Sequence, residues 1–313
     1  MNQCYSYEAI LKHTDLRVLT REMDEVLRRG GRHEMLVPGR EVIFQRAPEA
    51  VFISMPAVSS EHGLYINKVA SIFDRPSDSR LPSLHAYVIA FSGHTGEPIA
   101  LLDGAALTNL KCAAVSALVT DYCAVEDAKV LAIVGAGVQA RQQFRGVCSV
   151  RDIGEIRLYA RNPDKVRAFG EEIRATSGEK IRVVETSSLE EAIDSADIVG
   201  TATASSSPLG EFANLTPAVH INCMGGHTEQ SRELPRSILE SSLLIVENVP
   251  TAIAEAGELH RKALELESLA KMAPPVLRQR RTVFSSTGHA SLDLITTAHV
   301  LRRLRCEAHA TPQ

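Results

Sequence analysis

Two groups of residues in this chain could do chemistry: a glycine-rich turn able to hold a phosphate, and two lysines whose spacing turns them inward. The run Lys129-Val130-Leu131-Ala132-Ile133-Val134 is an apolar strand that ends in Gly135-Ala136-Gly137-Val138-Gln139-Ala140. In such a Gly-x-Gly-x-x-Ala turn, Gly135 permits a sharp bend and Gly137 lets a pyrophosphate approach the backbone. Ala140 lets the next helix pack closely on the sheet. That helix would aim its unpaired N–H groups at the phosphates. An ordinary glycine turn is the alternative, and the α/β rhythm that follows speaks against it. At the end of the second strand, where an NAD enzyme places an acidic residue, the chain reads Tyr159-Ala160-Arg161-Asn162. Arg161 could take a 2′-phosphate bidentately, or it could face solvent. On this reading NADP(H) is favoured and NAD(H) stays open.

The lysines lie elsewhere. Strand alternation in Tyr65-Ile66-Asn67-Lys68-Val69-Ala70-Ser71-Ile72 puts Lys68 on the face of Ile66, Ala70 and Ile72. On a helix, Lys111 shares a stripe with Leu107, Ala114 and Leu118. A buried ammonium is costly unless an anion meets it, so the pair could grip a carboxylate or phosphate. Snorkelling to the surface along the aliphatic stems is the alternative.

The elements that must position these groups divide the chain. Strands expected at 50–58, 64–73, 84–92 and 98–103, separated by turn-forming clusters, form an antiparallel meander. A helix over 105–123 leads out of it, and a last helix over 289–305 can return to it. From 129 onward strands alternate with helices: strands at 156–160, 181–185, 198–204, 219–224 and 243–247, with a helix over 163–175. Ser187 is expected to cap a further helix, with Glu190 completing a capping box. The fold class is α/β, a Rossmann-type parallel sheet beside a smaller antiparallel α+β domain. Domain one takes 1–124 and is completed by 289–313; domain two takes 125–288.

At 313 residues the chain can bury two cores, and 44% hydrophobic with 23% charged residues is ordinary globular composition. A net charge of −4 and the lack of a dense basic tract argue against a nucleic-acid surface; Arg278, Arg280 and Arg281 are read as a solvated run. Every apolar stretch is interrupted by polar residues, so no membrane partner is expected. The first residues lack a signal-peptide pattern, which points to the cytoplasm. The six cysteines show no Cys-x-x-Cys pair and are expected to be free thiols, with no metal site.

A set of short motifs carries a family resemblance. They are Val37-Pro38-Gly39-Arg40, Met55-Pro56-Ala57, Asn67-Lys68-Val69, Leu81-Pro82-Ser83-Leu84-His85-Ala86, the segment 102–108, Lys111-Cys112-Ala113-Ala114, the segment 134–143, His220-Ile221-Asn222 with Gly225-Gly226, Arg232-Glu233-Leu234 and the segment 288–293. In this order the chain resembles the ornithine cyclodeaminase and mu-crystallin family over nearly its whole length. The resemblance implies a homodimer built through domain one, which also binds substrate, and a nicotinamide site in the cleft between domains. It implies that Arg40, Lys68 and Lys111 hold the carboxylate of a small amino or cyclic imino acid, with Lys68 also serving acid–base chemistry. Lys111 departs from the family's usual arginine and lacks its planar fork. Ser83, Arg232 and Asp293 match positions at the cofactor or substrate. With Gly135, Ala136, Gly137, Val138, Gln139, Arg161, Asn162, Thr201, Thr203, Met224 and Gly225 they form the expected cofactor contacts.

A second departure is His227, where cyclising members carry an aspartate. A histidine can move protons near neutral pH but cannot hold the second amine of ornithine as a carboxylate would. It could also be a loop residue facing solvent. The expected activity is therefore hydride transfer at the α-carbon of an imino acid, with Lys68 and His227 as catalytic candidates. Cyclisation of ornithine to proline plus ammonia is the alternative enzyme, and a nucleotide-binding protein without turnover is the alternative of another kind.

Overall fold

A computed structural model describes residues 3–73, 75, 79, 81–225 and 232–310. The chain divides into two compact units, Met1–Lys111 with His289–Gln313, and Cys112–Gly288. The first boundary falls inside one continuous helix, Gly104–Cys123. Asp103 starts that helix by accepting from the Ala106 N–H at 2.8 Å. Among the described residues no helix is long and apolar enough to cross a membrane.

The first unit is built on seven described strands: β1 (Gln3–Tyr5), β2 (Met35–Leu36), β3 (Glu41–Arg46), β4 (Glu49–Ser59), β5 (Leu64–Phe73), β6 (Leu84–Ser92) and β7 (Pro98–Asp103). Their order is β1-β7-β6-β5-β4-β2, with β3 also pairing β4. Only β1 joins in parallel, so β4 to β7 form the expected antiparallel meander. Along β5 the alternation holds: Leu64, Ile66 and Lys68 are buried, while Val69 on the opposite face is 44% exposed. Lys68 stands between Met55 of β4 and Val88 of β6, both buried. The C-terminal helix Ala290–Ala310 packs on β4, β5 and the helix Leu16–Arg28.

Two N-terminal helices, Tyr7–Lys12 and Leu16–Arg28, were absent from the strand-based expectation. Their caps are Ser6, which accepts from the Ala9 N–H, and Asp15, which accepts from Arg17 and Val18. The second helix buries Leu19, Met23, Val26 and Leu27, a spacing of four, three and one that makes one face.

The second unit carries β8 (Val130–Val134), β9 (Glu155–Tyr159), β10 (Arg182–Glu185), β11 (Ile198–Thr201), β12 (His220–Cys223), β13 (Leu243–Val246), β14 (Leu264–Glu265) and β15 (Thr282–Ser285). These strands are parallel in the order β10-β9-β8-β11-β12-β15-β13-β14. Two apolar clusters contribute to its core: one includes Ile156, Val166, Phe169 and Ile173, the other Leu189, Val199, Ile221 and Leu234. A parallel sheet needs cover on both faces, and its near-continuous apolar strands reflect that. The chain winds outward from β8 in both directions, so the carboxyl ends of β8 and β11 border a switch-point crevice. One local expectation is corrected. The helix Leu189–Ile193 is capped by Ser188, not Ser187; Ser188 Oγ accepts from Glu191 N, and Glu191 reaches back to Ser187 N at 2.8 Å. The capping box is thus present one residue later, because either serine satisfies the pattern.

A buried polar chain ties β12 to β15 and to the long helix. His220 Nδ1 lies 2.9 Å from Thr282 Oγ1 and Nε2 lies 3.2 Å from Asn222 Oδ1, while Asn222 Nδ2 donates to Thr120 Oγ1 at 2.8 Å. An amide oxygen only accepts, so Nε2 carries the proton and Nδ1 accepts from the hydroxyl. Burial pushes the His220 pKa down to about 3. An unfolded histidine takes a proton near pH 6.5. The unfolded chain therefore binds one more proton between these values, and stability falls as pH drops through that window. In urea titrations His220→Gln should be less stable at pH 8 yet lose less stability between pH 6.5 and 4. Parallel pH profiles would contradict this role for His220.

Candidate functional site

The glycine turn of the second unit follows from its neighbours. At φ +122° Gly135 is left-handed backbone, and a Cβ there would lie 2.4 Å from the Ala202 carbonyl oxygen. Only glycine lets β8 pass so close to the end of β11. Gly137 is extended, and a Cβ there would meet nothing within 4 Å, so this side of the turn is open. The helix Val138–Val150 begins with no side-chain cap, leaving its first N–H groups to a ligand. Ala140 is fully buried in the core under that helix. Ala136 and Gln139 are half-buried, and Val138 is exposed.

The other expected cofactor contacts of this unit lie at the carboxyl ends of β9, β11 and β12. Arg161 is exposed just past β9, and Asn162 spends its side-chain oxygen capping the helix Pro163–Ser177 through Lys165 N. Thr201, Thr203 and Gly225 converge on a residue to which the sequence reading gave no role, Glu233. This buried carboxylate accepts from Thr201 Oγ1 at 2.7 Å, Thr203 N at 2.6 Å and Gly225 N at 2.8 Å. It braces the ends of β11 and β12 against each other. A Cβ on Gly225 would fall 2.1 Å from the Glu233 carboxyl carbon, so any side chain there would push that carboxylate from its place. The Cys223 thiol beside it is pushed up by burial and by the Glu233 charge, which makes it inert. Met224 and Arg232 are half-buried nearby in sequence. Glu233 was visible as the middle of Arg232-Glu233-Leu234, but three residues show no periodicity that would mark it as buried.

The first unit gathers the cations. Lys68 Nζ donates to Asp293 Oδ1 at 2.9 Å, and both side chains are buried. Lys111 is buried as well, and Arg40 is half-buried at the start of β3. Burial alone would push the Asp293 carboxyl up. The charges of Lys68, Lys111 and Arg40 together outweigh that cost and hold it below the ordinary range. Asp293 also sits in the first turn of its helix, where the macrodipole favours an anion. The three expected carboxylate-gripping residues therefore act on one buried point, and Asp293, expected at the cofactor, is the anion at that point. Ser83 is exposed before β6, and its carbonyl accepts from Phe73 N at 2.9 Å. His227 lies outside the described residues. Among the described residues no group of three or more His, Cys, Asp or Glu could hold a metal.

Comparison with known proteins places this architecture. The pattern of the ornithine cyclodeaminase/mu-crystallin family matches residues 2–306. Ketimine reductase mu-crystallin of Rattus norvegicus is 30% identical over 247 residues, 77% of this chain and 76% of its own. A Delta(1)-pyrroline-2-carboxylate reductase of Bacillus cereus is 31% identical over 263 residues, 80% of each chain. The Delta(1)-pyrroline-2-carboxylate reductase of Thermococcus litoralis, solved in complex with NADH and L-proline, superposes with a TM-score of 0.90 at 25% identity, covering 97% of this chain and 98% of that one. The chain belongs to the ornithine cyclodeaminase/mu-crystallin family.

Proposed function

We propose that the chain is an NAD(P)H-dependent reductase of a cyclic imine carboxylate, forming the corresponding cyclic amino acid. The observation that carries this reading is the buried Lys68–Asp293 pair with Arg40 and Lys111 acting on the same point. Arg40 and Lys111 hold the substrate carboxylate, and Lys68 delivers a proton to the ring nitrogen. Asp293 keeps the Lys68 ammonium charged and aimed, which fixes its reach to the acceptor. The residues of the glycine turn fit a dinucleotide: the bend at Gly135, the open side of Gly137 and the uncapped helix suit a pyrophosphate. When bound, the nicotinamide supplies the hydride that reduces the imine carbon. The named reductases among the relatives support the same reaction class.

Arg161 favours NADPH over NADH, because it stands exposed past β9 where an acidic residue would repel a 2′-phosphate. Incubation with a five- or six-membered cyclic imine carboxylate should oxidise NADPH one for one. Ornithine should yield little proline or ammonia. Arg161→Ala should weaken NADPH by about ten- to a hundredfold, the scale of a lost charged hydrogen bond at ~1.5–3 kcal/mol, and leave NADH nearly unchanged. Proline and ammonia from ornithine without net change in nicotinamide absorbance would replace the reductase by a cyclodeaminase. Tighter binding of NADH than NADPH by the unaltered protein would remove the Arg161 assignment.

The partner expected for the first unit is a second copy of the chain. Edge strand β3 exposes Ile43 at 65% and Phe44 at 76%. On the sheet, register partners Val69 and Tyr87 are 44% and 54% exposed. Apolar residues on an open edge and face invite pairing unless covered. Light scattering should give twice the chain mass, and Phe44→Glu should give the monomer. A monomeric unaltered protein at micromolar concentration would exclude this interface.

A further inference from the structure

Arg141 lies one turn into the helix that follows the glycine turn, and its guanidinium folds back on the turn itself. Nη1 donates to the Ala136 carbonyl at 2.8 Å and to the Gly137 carbonyl at 3.2 Å. The opposite edge is anchored: Nε and Nη2 each donate to Glu172 at 2.6 Å, a bidentate pair with the helix Pro163–Ser177. The guanidinium also lies 4.7 Å from the centre of the Phe169 ring on that helix. Four hydrogen bonds and a ring face thus fix one side chain that is 29% exposed. A surface arginine held only by an ion pair would not need this geometry.

The consequence follows from the planarity of the peptide bond. In a trans peptide the N–H points opposite to the C=O. The Ala136 carbonyl shares its plane with the Gly137 N–H, and the Gly137 carbonyl shares its plane with the Val138 N–H. The guanidinium holds the Ala136 carbonyl by itself and the Gly137 carbonyl together with the Arg141 backbone N–H at 3.4 Å, which turns both N–H groups away from it. The side of Gly137 where a Cβ would stand is open, and Val138 is 56% exposed. We propose that Arg141 is a positioning residue for the dinucleotide: by holding the Ala136 and Gly137 carbonyls it presents the Gly137 and Val138 N–H groups to the pyrophosphate. Glu172 anchors it from the adjacent helix, so the turn is set before the cofactor arrives and less ordering is left to binding.

This inference rests on the turn being the pyrophosphate site, and two variants separate the two ideas. Gly137→Asp fits the backbone without a clash and puts a carboxylate on the open side, so it should abolish binding of NADPH and ADP-ribose. Arg141→Met should weaken NADPH, titrated by nicotinamide fluorescence, and ADP-ribose, titrated by calorimetry, by about tenfold. Adenosine, which has no pyrophosphate, should change less than twofold. Arg141→Lys, which keeps the charge without the fork, should recover only part of the loss. If Arg141→Met does not fold, Glu172→Gln supplies the same test, with an expected loss of about threefold through the freed guanidinium. Unchanged NADPH affinity in these variants, or an equal loss for adenosine, overturns the positioning role while leaving the turn assignment intact. Full affinity in Gly137→Asp overturns the turn assignment and the proposal with it.

Discussion

A lysine ammonium on the buried face of a sheet is the constraint around which the first unit is arranged. Desolvating an unpaired charge costs several kcal/mol, so Lys68 in the middle of β5 requires an anion within contact. The C-terminal helix brings Asp293 there from 225 residues away in sequence. Its first turn is a favourable place for a carboxylate, and its buried length packs across β4 and β5. Removing one member of such a pair costs about 3–5 kcal/mol because the other charge is left behind. The pair therefore joins the end of the chain to the meander and gives the cation cluster a fixed centre.

The second unit solves a different problem, the unpaired backbone groups at the carboxyl edge of a parallel sheet. Glu233 takes donors from the ends of β11 and β12, and Glu247 takes the N–H groups of Thr287 and Gly288 past the end of β15, both at 3.1 Å. Arg141 performs the converse task at the glycine turn, satisfying carbonyls. With its carbonyls taken by Arg141, the glycine turn offers N–H groups, which is the composition an anionic dinucleotide needs.

The sequence made some of this legible and concealed the rest for physical reasons. Gly135 and Gly137 announce themselves because only glycine tolerates the bend at one and leaves open backbone at the other. Lys68 could be placed inward because a period of two is local to β5. Asp293 could be matched to the site region, but not to Lys68, because contacts between distant segments leave no periodic trace. Arg141 and Glu172 look like surface charges in amphipathic helices, and their joint role depends on two helices lying side by side. The helix Leu16–Arg28 has a regular apolar spacing, but it precedes the first expected strand at residue 50 and carries none of the residues that could do chemistry. Ser187 and Ser188 show the limit of a local rule: adjacent residues both satisfied it, and the backbone chose the second.

The central claim is that Lys68 acts as the proton donor and that Asp293 keeps it charged. The most direct measurement is the pH dependence of kcat for Asp293→Asn against the unaltered enzyme with a cyclic imine carboxylate, with NADPH affinity measured alongside. A neighbouring carboxylate favours the ammonium form, so removing its charge lets Lys68 lose its proton more easily. The account predicts a lower kcat whose fall at high pH begins at lower pH than in the unaltered enzyme, with NADPH affinity retained. An unchanged kcat and pH profile in the Asn variant would contradict it.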